Sequence, residues 1–527
     1  MNLRTFWENK VQKNREKIFL YYEDEKISYS EFDIRVNQVA NGLIEKGIRK
    51  GDRICLMLPN TPEFLYSWFG LGKMGGIMVP INTSFKANET KYIVNHSEAA
   101  GLIVHKDYLQ IALEIRKDCP HLKWIICVDS DELPDEVISY DQLSGNMPKE
   151  LKHIDLKDDD LAAVIYTSGT TGFPKGAMHV HGNFTMTGEA FLLTVQLSSE
   201  DRLMVILPLY HLNAQFYSTM GAIAAEASLI LIKRFSASKF WEQAVRYGAT
   251  EFNFIGAVGR ILCARPDEEF RPEHTIRVTY GAGITPDVYE TFTKRFKIPF
   301  VIDGYGLTEV PRVCQNPIGG MIKMNSMGLP ARHPDPSVTF SQMKVIDEDG
   351  KEAPPGKTGE LVVRSPVMME GYFKDPQKTR EAIRDGWFHT VDYVYKDKDG
   401  YYFFVDRKEG IIRRRGENIS SREVENVING NQKVLETAVI AVPSELGEDE
   451  VMACIVVKPN QSMSAEEVID WCKDRLANFK IPRFIQFRKD LPKTPTQGIL
   501  KIVLKEEAST MEQVHNMAPY KKSSGLE

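Results

Sequence analysis

Apolar residues along the chain follow two spacings, one helical and one extended, and the two alternate. Val36, Val39, Ala40, Leu43 and Ile44 fall on one face of a helix, with Ser30 placed to cap its start, Asp33 at the third position and Gly47 to stop it. Short uninterrupted apolar runs at residues 54–58, 77–79, 102–104, 124–128, 161–165, 204–207, 229–232 and 300–302 read as strands. Strands that are apolar throughout and separated by helices predict buried, largely parallel sheets, and so an α/β fold with a large N-terminal domain of stacked sheets.

From about residue 338 to residue 404 the runs shorten and turn signals multiply. Asp349-Gly350 and Asp399-Gly400 mark hairpins, which predicts a small antiparallel, β-barrel-like subdomain. Beyond Arg407 a separate α+β module is expected, with strands at 438–442 and 452–457. A helix opens at Ser464, where Glu467 completes a capping box ahead of Val468, Trp471, Cys472 and Leu476. The expected division is an N-terminal domain over residues 1–406, a small mobile C-terminal domain over 407–507 and a polar, frayed tail over 508–527.

Composition narrows the class. A chain of 527 residues exceeds what one core usually supports, so more than one domain is expected. Charged residues at 26%, hydrophobic residues at 43% and a net charge of −6 describe an ordinary soluble protein and give no electrostatic case for nucleic acid. The seven cysteines are scattered and never form a Cys-x-x-Cys pair, which argues against a zinc site or disulfide framework and for a reducing compartment. The first ten residues carry scattered charges and no apolar h-region, and no apolar run approaches the roughly 20 residues that span a bilayer. A cytoplasmic location without a signal peptide or transmembrane segment is expected.

The densest chemistry follows the strand at 161–165. Tyr166, Thr167, Ser168, Gly169, Thr170, Thr171, Gly172, Phe173, Pro174, Lys175, Gly176 and Ala177 place three glycines and four Ser/Thr hydroxyls around one lysine. Glycines let the backbone come close to a polyphosphate, and the hydroxyls and lysine surround its oxygens with donors. The spacing is not that of a Walker A loop, since Lys175 is followed by Gly176, so a P-loop kinase or ATPase is disfavoured. A second stretch, Asp303-Gly-Tyr-Gly-Leu-Thr-Glu309, ends an apolar run in a glycine-rich turn carrying an aromatic face, a hydroxyl and a carboxylate suited to Mg²⁺.

Residues 166–177 closely resemble the phosphate-binding signature of AMP-forming adenylate enzymes, which include acyl-CoA synthetases, peptide-synthetase adenylation domains and beetle luciferases; the resemblance runs from about Ser28 to about Leu504. It implies that Thr167, Ser168, Gly169, Thr170, Thr171 and Lys175 cradle ATP, and that Tyr305 stacks on adenine beside Gly281, Ala282, Gly283, Asp303 and Gly306. It further implies that Thr308 contacts the α-phosphate, that Glu309 holds Mg²⁺, and that Asp392 and Arg407 bind the ribose. Val391 stands where the family usually has a glycine, which leaves the backbone beside Asp392 open. Glu409 would be the hinge, with Gly410 beside it adding backbone freedom, and Gly416, Glu417 and Asn418 would face the acyl-adenylate and the pantetheine of CoA.

The implied reaction joins a small carboxylic acid to ATP with loss of pyrophosphate, then passes the acyl group to CoA. Mg²⁺, the loop hydroxyls and Lys175 would offset the charge that builds on the phosphates. Free CoA is expected rather than a fused carrier, because no carrier-like serine motif follows residue 507. A homodimer is possible. Residues 72–82 and 240–250 most resemble crotonobetaine/carnitine-CoA ligases, although both are scaffold segments. A trimethylammonium acid would want aromatic faces, a fatty or aryl acid an apolar tunnel, and residues 253–258 are expected to line the pocket.

His211 alone would read as a packed histidine; the resemblance puts it between the acyl pocket and the pantetheine tunnel. His179 and His181 read as structural, and Tyr66, Trp68 and Phe69 as core. One departure bears on mechanism. The family pattern around residues 491–501 carries a lysine that bridges carboxylate and α-phosphate, and alignment puts Gly498 there. Lys501, three residues on, is the substitute candidate, and the alternative is a catalytically weakened nucleotide- or acyl-binding homologue. A luciferase-like oxidising enzyme that uses the same adenylate is a further rival.

Overall fold

The computed structural model describes residues 1–130, 132–167, 174–407, 410–414, 417–443, 449–473, 475–493, 498–508 and 514–517. Among them, an eight-stranded sheet runs through Gly371–Tyr372, Lys175–Val180, Leu161–Thr167, Ile77–Pro80, Arg53–Met57, Gly101–His105, Trp124–Val128 and Val137–Ser139. From Leu161–Thr167 outward to Val137–Ser139 every pairing is parallel. The apolar runs at its centre are covered on both faces, which is why they show no alternation.

A fourteen-stranded sheet forms the second layer. Its parallel half comprises Phe300–Tyr305, Val278–Ala282, Glu251–Ile255, Arg202–Val205, Ser228–Leu231 and Ile18–Tyr22. Through Cys314–Gln315 and Ser326–Pro330 it continues into an antiparallel half of Tyr402–Arg407, Trp387–Lys396, Gly359–Arg364 and Gln342–Ile346. The antiparallel region expected from the sequence is thus hydrogen-bonded in series with the large sheet. Its hairpins turn through Gly350 and Gly400, both at positive φ.

The C-terminal part carries the two-stranded ladder Ile411–Arg414 with Glu417–Ser420, the helix Ser421–Asn429 and a four-stranded sheet of Val434–Pro443, Asp449–Val457, Phe484–Arg488 and His515–Asn516. Two sequence expectations shift. The helix at Tyr29–Glu45 is capped by Ser28 and Glu31, not by Ser30 and Asp33: Ser28 is the last residue of the strand Glu25–Ser28, and its hydroxyl accepts from the Glu31 N–H at 3.2 Å. Ser30 instead donates to the Arg15 carbonyl. The tail is not wholly frayed, because His515–Asn516 pairs with Phe484 and Ile485 at an otherwise open sheet edge, where backbone bonds suffice whatever the side chains. The capping box of Ser464 and Glu467 forms as read.

Val391 resolves the question the sequence left open. Within Trp387–Lys396 the pairing passes from Tyr393–Glu360 to His389–Val362, so extra residues bulge out at Thr390, Val391 and Asp392. Val391 takes φ 55°, left-handed backbone that a β-branched residue adopts only under strain. Thr390 holds the bulge by donating to the Leu361 carbonyl and accepting from the Asp392 N–H. Val391 itself is 43% exposed, so its side chain contributes little packing. Val391→Gly is therefore expected to stabilise the protein by about 1 kcal/mol, read as a higher urea midpoint at constant m-value. An unchanged or lower midpoint would show that the bulge carries no strain.

Candidate active site

The cleft is assembled from the carboxyl ends of strands, where α/β sheets open toward ligands. Thr167 and Lys175 face each other across the hairpin that carries the glycine- and hydroxyl-rich loop. Ser168, Gly169, Thr170 and Thr171 lie outside the described residues, as do Glu409 and Gly416. Lys175 Nζ sits 5.0 Å over the Tyr372 ring, and the Tyr372 hydroxyl donates to Glu309 Oε1 at 2.8 Å. Lys175, Tyr372 and Glu309 thus form one row across the cleft. Tyr372 carried no signal in the sequence; it arrives because Gly371–Tyr372 pairs with Ala177 and Met178 at the sheet edge.

Glu309 has one oxygen on Tyr372, and its Oε2 makes no hydrogen bond among the described residues. Among those residues no cluster of three or more His, Cys, Asp or Glu could hold a metal ion. A single hard carboxylate oxygen in a row with Lys175 suits Mg²⁺, which takes one or two carboxylates and completes its shell with phosphate and water oxygens.

Thr308 is fixed from behind. Its carbonyl accepts from His179 Nε2 at 2.7 Å, and His179 Nδ1 accepts from Asn183 Nδ2 at 3.0 Å. Those bonds define a neutral imidazole, and burial pushes its pKa down to about 4. His179, read from the sequence as structural, therefore orients the Thr308–Glu309 turn. His181 is also buried, with its Nδ1 accepting from the Leu3 N–H.

A cavity of about 660 Å³ opens beside this row, with Ala282, Gly283, Asp303, Tyr305, Gly306 and Asp392 in its wall and Arg407 and Arg422 at its C-terminal side. Asp303 accepts from the N–H groups of Gly283 and Ile284 at 3.0 and 3.2 Å, and burial raises its pKa to about 7. Asp392 is 1% exposed; burial raises its pKa while Arg407, 3.2 Å away, opposes the shift. The Tyr305 hydroxyl donates to Asp392, which sets the ring as one wall of the cavity. Gly281 is not in that wall, since a side chain there would strike the Phe254 ring.

Asp406 joins the two parts of the chain. Its Oδ2 accepts from the Ser420 and Ser421 hydroxyls and the Arg422 N–H, at the start of Ser421–Asn429. A Cβ on Gly410 would lie 2.2 Å from Asp406 Oδ1, so glycine there makes room for the carboxylate. Arg422, Glu423 and Asn426 face the cavity. The backbones of Glu417 and Asn418 lie in their ladder, while their side chains are outside the described set. Lys501 is not brought to the cavity. Its Nζ donates to Ser421 Oγ at 2.5 Å and pairs with Glu425 Oε1 at 2.7 Å, on the other face of the same helix. Gly498 is exposed.

His211 lines a separate cavity of about 960 Å³ with Tyr210, Asn213, Lys233, Arg234 and, from the stretch read as pocket-lining, Ile255 and Val258. Desolvation lowers its pKa to about 4, so the ring is neutral near pH 7. Asn60, invisible to motif reading, pins this wall by donating to the Leu207 and Ile232 carbonyls and accepting from the Leu209 N–H.

The model of the AMP-binding enzyme family matches residues 7–373, and that of the AMP-binding enzyme C-terminal domain matches residues 423–497. A crotonobetaine/carnitine–CoA ligase of Salmonella choleraesuis (strain SC-B67) is 31% identical over 519 residues, 96% of this chain and 99% of the relative. The anthranilate CoA ligase AuaEII, solved with anthranoyl-AMP, superposes with a TM-score of 0.88 at 27% identity, covering 97% of this chain and 98% of that one. ATP-bound MatB from Rhodopseudomonas palustris gives 0.86 at 27% identity over 96% and 99%. Matched across most of its length by the family model and nearly end to end by a relative, the chain belongs to the AMP-binding enzyme family.

Proposed function

We propose the following division of roles within an enzyme that activates a carboxylic acid with ATP and transfers the acyl group to CoA, releasing AMP and pyrophosphate. Tyr305 and the backbone at Ala282 and Gly283 receive the adenine, and Asp392 with Arg407 receives the ribose. The observation that carries this reading is that Asp303, Tyr305 and Asp392 line one cavity, and that Glu309, at the end of the Lys175–Tyr372–Glu309 row, lies close enough for its charge to act on Asp392. An acid oxygen attacks the α-phosphorus and pyrophosphate leaves; Lys175 and the loop hydroxyls meet the charge on the phosphates. Bound Mg²⁺ supplies further neutralisation of that charge, and Glu309 would hold it.

For thioester formation, the thiolate sulfur attacks the acyl carbon and AMP leaves. The cavity beside His211 suits the pantetheine arm, and Lys233 and Arg234 at its wall suit the phosphates of CoA. Neutral His211 gives that passage a polar wall without adding a cation. Glu409, outside the described residues, is the hinge between an N-terminal domain ending at residue 406 and the C-terminal domain, and Arg422 lines the nucleotide cavity from the C-terminal side. A cytoplasmic place of work fits seven cysteines that are all free thiols; among the described residues no helix is long and apolar enough to cross a membrane. For the acid, the 31% identical relative keeps a carnitine-like compound in view, and a fatty acid is the other candidate.

Two outcomes test the roles. Glu309→Gln is expected to cut metal-dependent adenylation by about 10²–10³ with the fold retained, measured by pyrophosphate exchange across a Mg²⁺ titration; full activity at saturating Mg²⁺ would remove Glu309 from the metal site. With Gly498 where the family carries its lysine and Lys501 held by Glu425, adenylation is expected to be slow and thioester formation competent. Synthetic acyl-AMP should then bypass the slow step, and Gly498→Lys should speed adenylation by roughly 10²-fold. Fast wild-type adenylation that Lys501→Ala abolishes would instead make Lys501 the catalytic group.

A further inference from the structure

Tyr372 is 6% exposed and touches both charged members of its row at once: its hydroxyl donates to Glu309 Oε1 at 2.8 Å, and its ring lies 5.0 Å from Lys175 Nζ. A carboxylate only accepts, so the hydroxyl proton is committed to Oε1, while Oε2 makes no hydrogen bond among the described residues. The two oxygens of this carboxylate are therefore not equivalent.

The bond is held from the backbone. Gly371 and Tyr372 pair with Met178 and Ala177 of the strand Lys175–Val180, and the Tyr372 N–H donates to Thr379 Oγ1 at 2.9 Å. Gly371 takes φ 145°, and a Cβ on it would lie 2.7 Å from the Thr379 side chain, so this turn of the chain needs glycine. On the other side, the Met369 N–H donates to the Glu309 carbonyl at 2.8 Å. Residues 369 and 372 thus grip Glu309 by its main chain and by its side chain. Removing the Tyr372 hydroxyl alone leaves all these backbone bonds, and the ring beside Lys175, in place.

Mg²⁺ and Ca²⁺ ask different things of a carboxylate. Mg²⁺ demands a near-octahedral shell at about 2.0–2.1 Å, whereas Ca²⁺ accepts about six to eight oxygens and binds carboxylates through one oxygen or both. Among the described residues no cluster of three or more His, Cys, Asp or Glu could hold a metal ion, so the protein offers few oxygens and the state of each one counts. We propose that Tyr372 is a positioning residue that determines metal choice: by holding Oε1 it makes Glu309 a one-oxygen ligand, which suits Mg²⁺ and denies Ca²⁺ the second oxygen. This rests on the reading of Glu309 as the metal carboxylate. Two-oxygen binding would cost the Tyr372 bond, and a hydrogen bond to an ionised group is stronger than one between neutral groups.

The test is ATP binding to the full chain by calorimetry in Mg²⁺ and in Ca²⁺, with acid and CoA left out so that no product forms. Wild type, Tyr372→Phe, Glu309→Gln and the double variant are compared by the ratio of their two dissociation constants. Glu309→Gln gives the preference that belongs to the nucleotide–metal complex itself. Wild type is expected to favour Mg²⁺ beyond that baseline, and Tyr372→Phe to narrow the ratio by about tenfold, through tighter binding in Ca²⁺. In the Glu309→Gln background Tyr372→Phe should change nothing further. Tyr372→Leu, which also lacks the hydroxyl, should narrow the ratio equally and decides if Tyr372→Phe does not fold. An unchanged ratio in Tyr372→Phe, or an equal loss with both metals, overturns the assignment while Glu309 keeps its role. If Glu309→Gln leaves the metal dependence of ATP binding untouched, the reading of Glu309 falls, and this inference with it.

Discussion

The site depends on the register of one hairpin. In the ladder between Trp387–Lys396 and Tyr402–Arg407, Asp392 lies opposite Arg407 and Tyr393 opposite Asp406. The bulge turns Asp392 into the core, where a carboxylate needs a partner, and Arg407 reaches it at the end of the facing strand. Asp406, pointing the other way, meets the N-terminal turn of Ser421–Asn429, where orphan N–H groups and the helix dipole favour an anion. Two adjacent residues therefore tie the nucleotide cavity to the C-terminal part of the chain. A slip of one residue would exchange their faces and undo both attachments at once.

Much of the scaffold could be read without coordinates, because buried parallel strands announce themselves by composition. Trp124–Val128 was legible to the residue. Boundaries that depend on which hydroxyl wins a backbone N–H were not: Ser28 and Ser30 are equally good caps by type, and only the preceding strand decides between them. At the site, sequence marked residues by chemistry but not by partner. Glu309, Asp392 and Tyr305 were named from the sequence, whereas Tyr372, which arrives at a sheet edge, and the bond that ties Tyr305 to Asp392 across 87 positions were not. His179 looked inert for the same reason; its role lies in the carbonyl it holds, 129 residues away.

The C-terminal helix shows how one element serves two ends. Ser421 and Glu425, four residues apart, share a face that takes Lys501, while Arg422, Glu423 and Asn426 turn to the nucleotide cavity. Burial raises the pKa of Glu425, and Lys501 beside it opposes that shift. Taking Lys501 to the α-phosphate would strand that carboxylate in a poorly hydrated place, which is costly. In this arrangement Lys501 is bound into the C-terminal unit through Glu425 and Ser421.

Identity spread evenly over a chain reports its scaffold, whereas selection of an acid rests on the few groups that touch it. Glycines at 304 and 306 belong to the scaffold. Each is small because a tyrosine hydroxyl occupies the space where its Cβ would be, and those same tyrosines stand on two sides of the Arg312 guanidinium. The backbone of the nucleotide turn and the charge behind it are thus one packing unit.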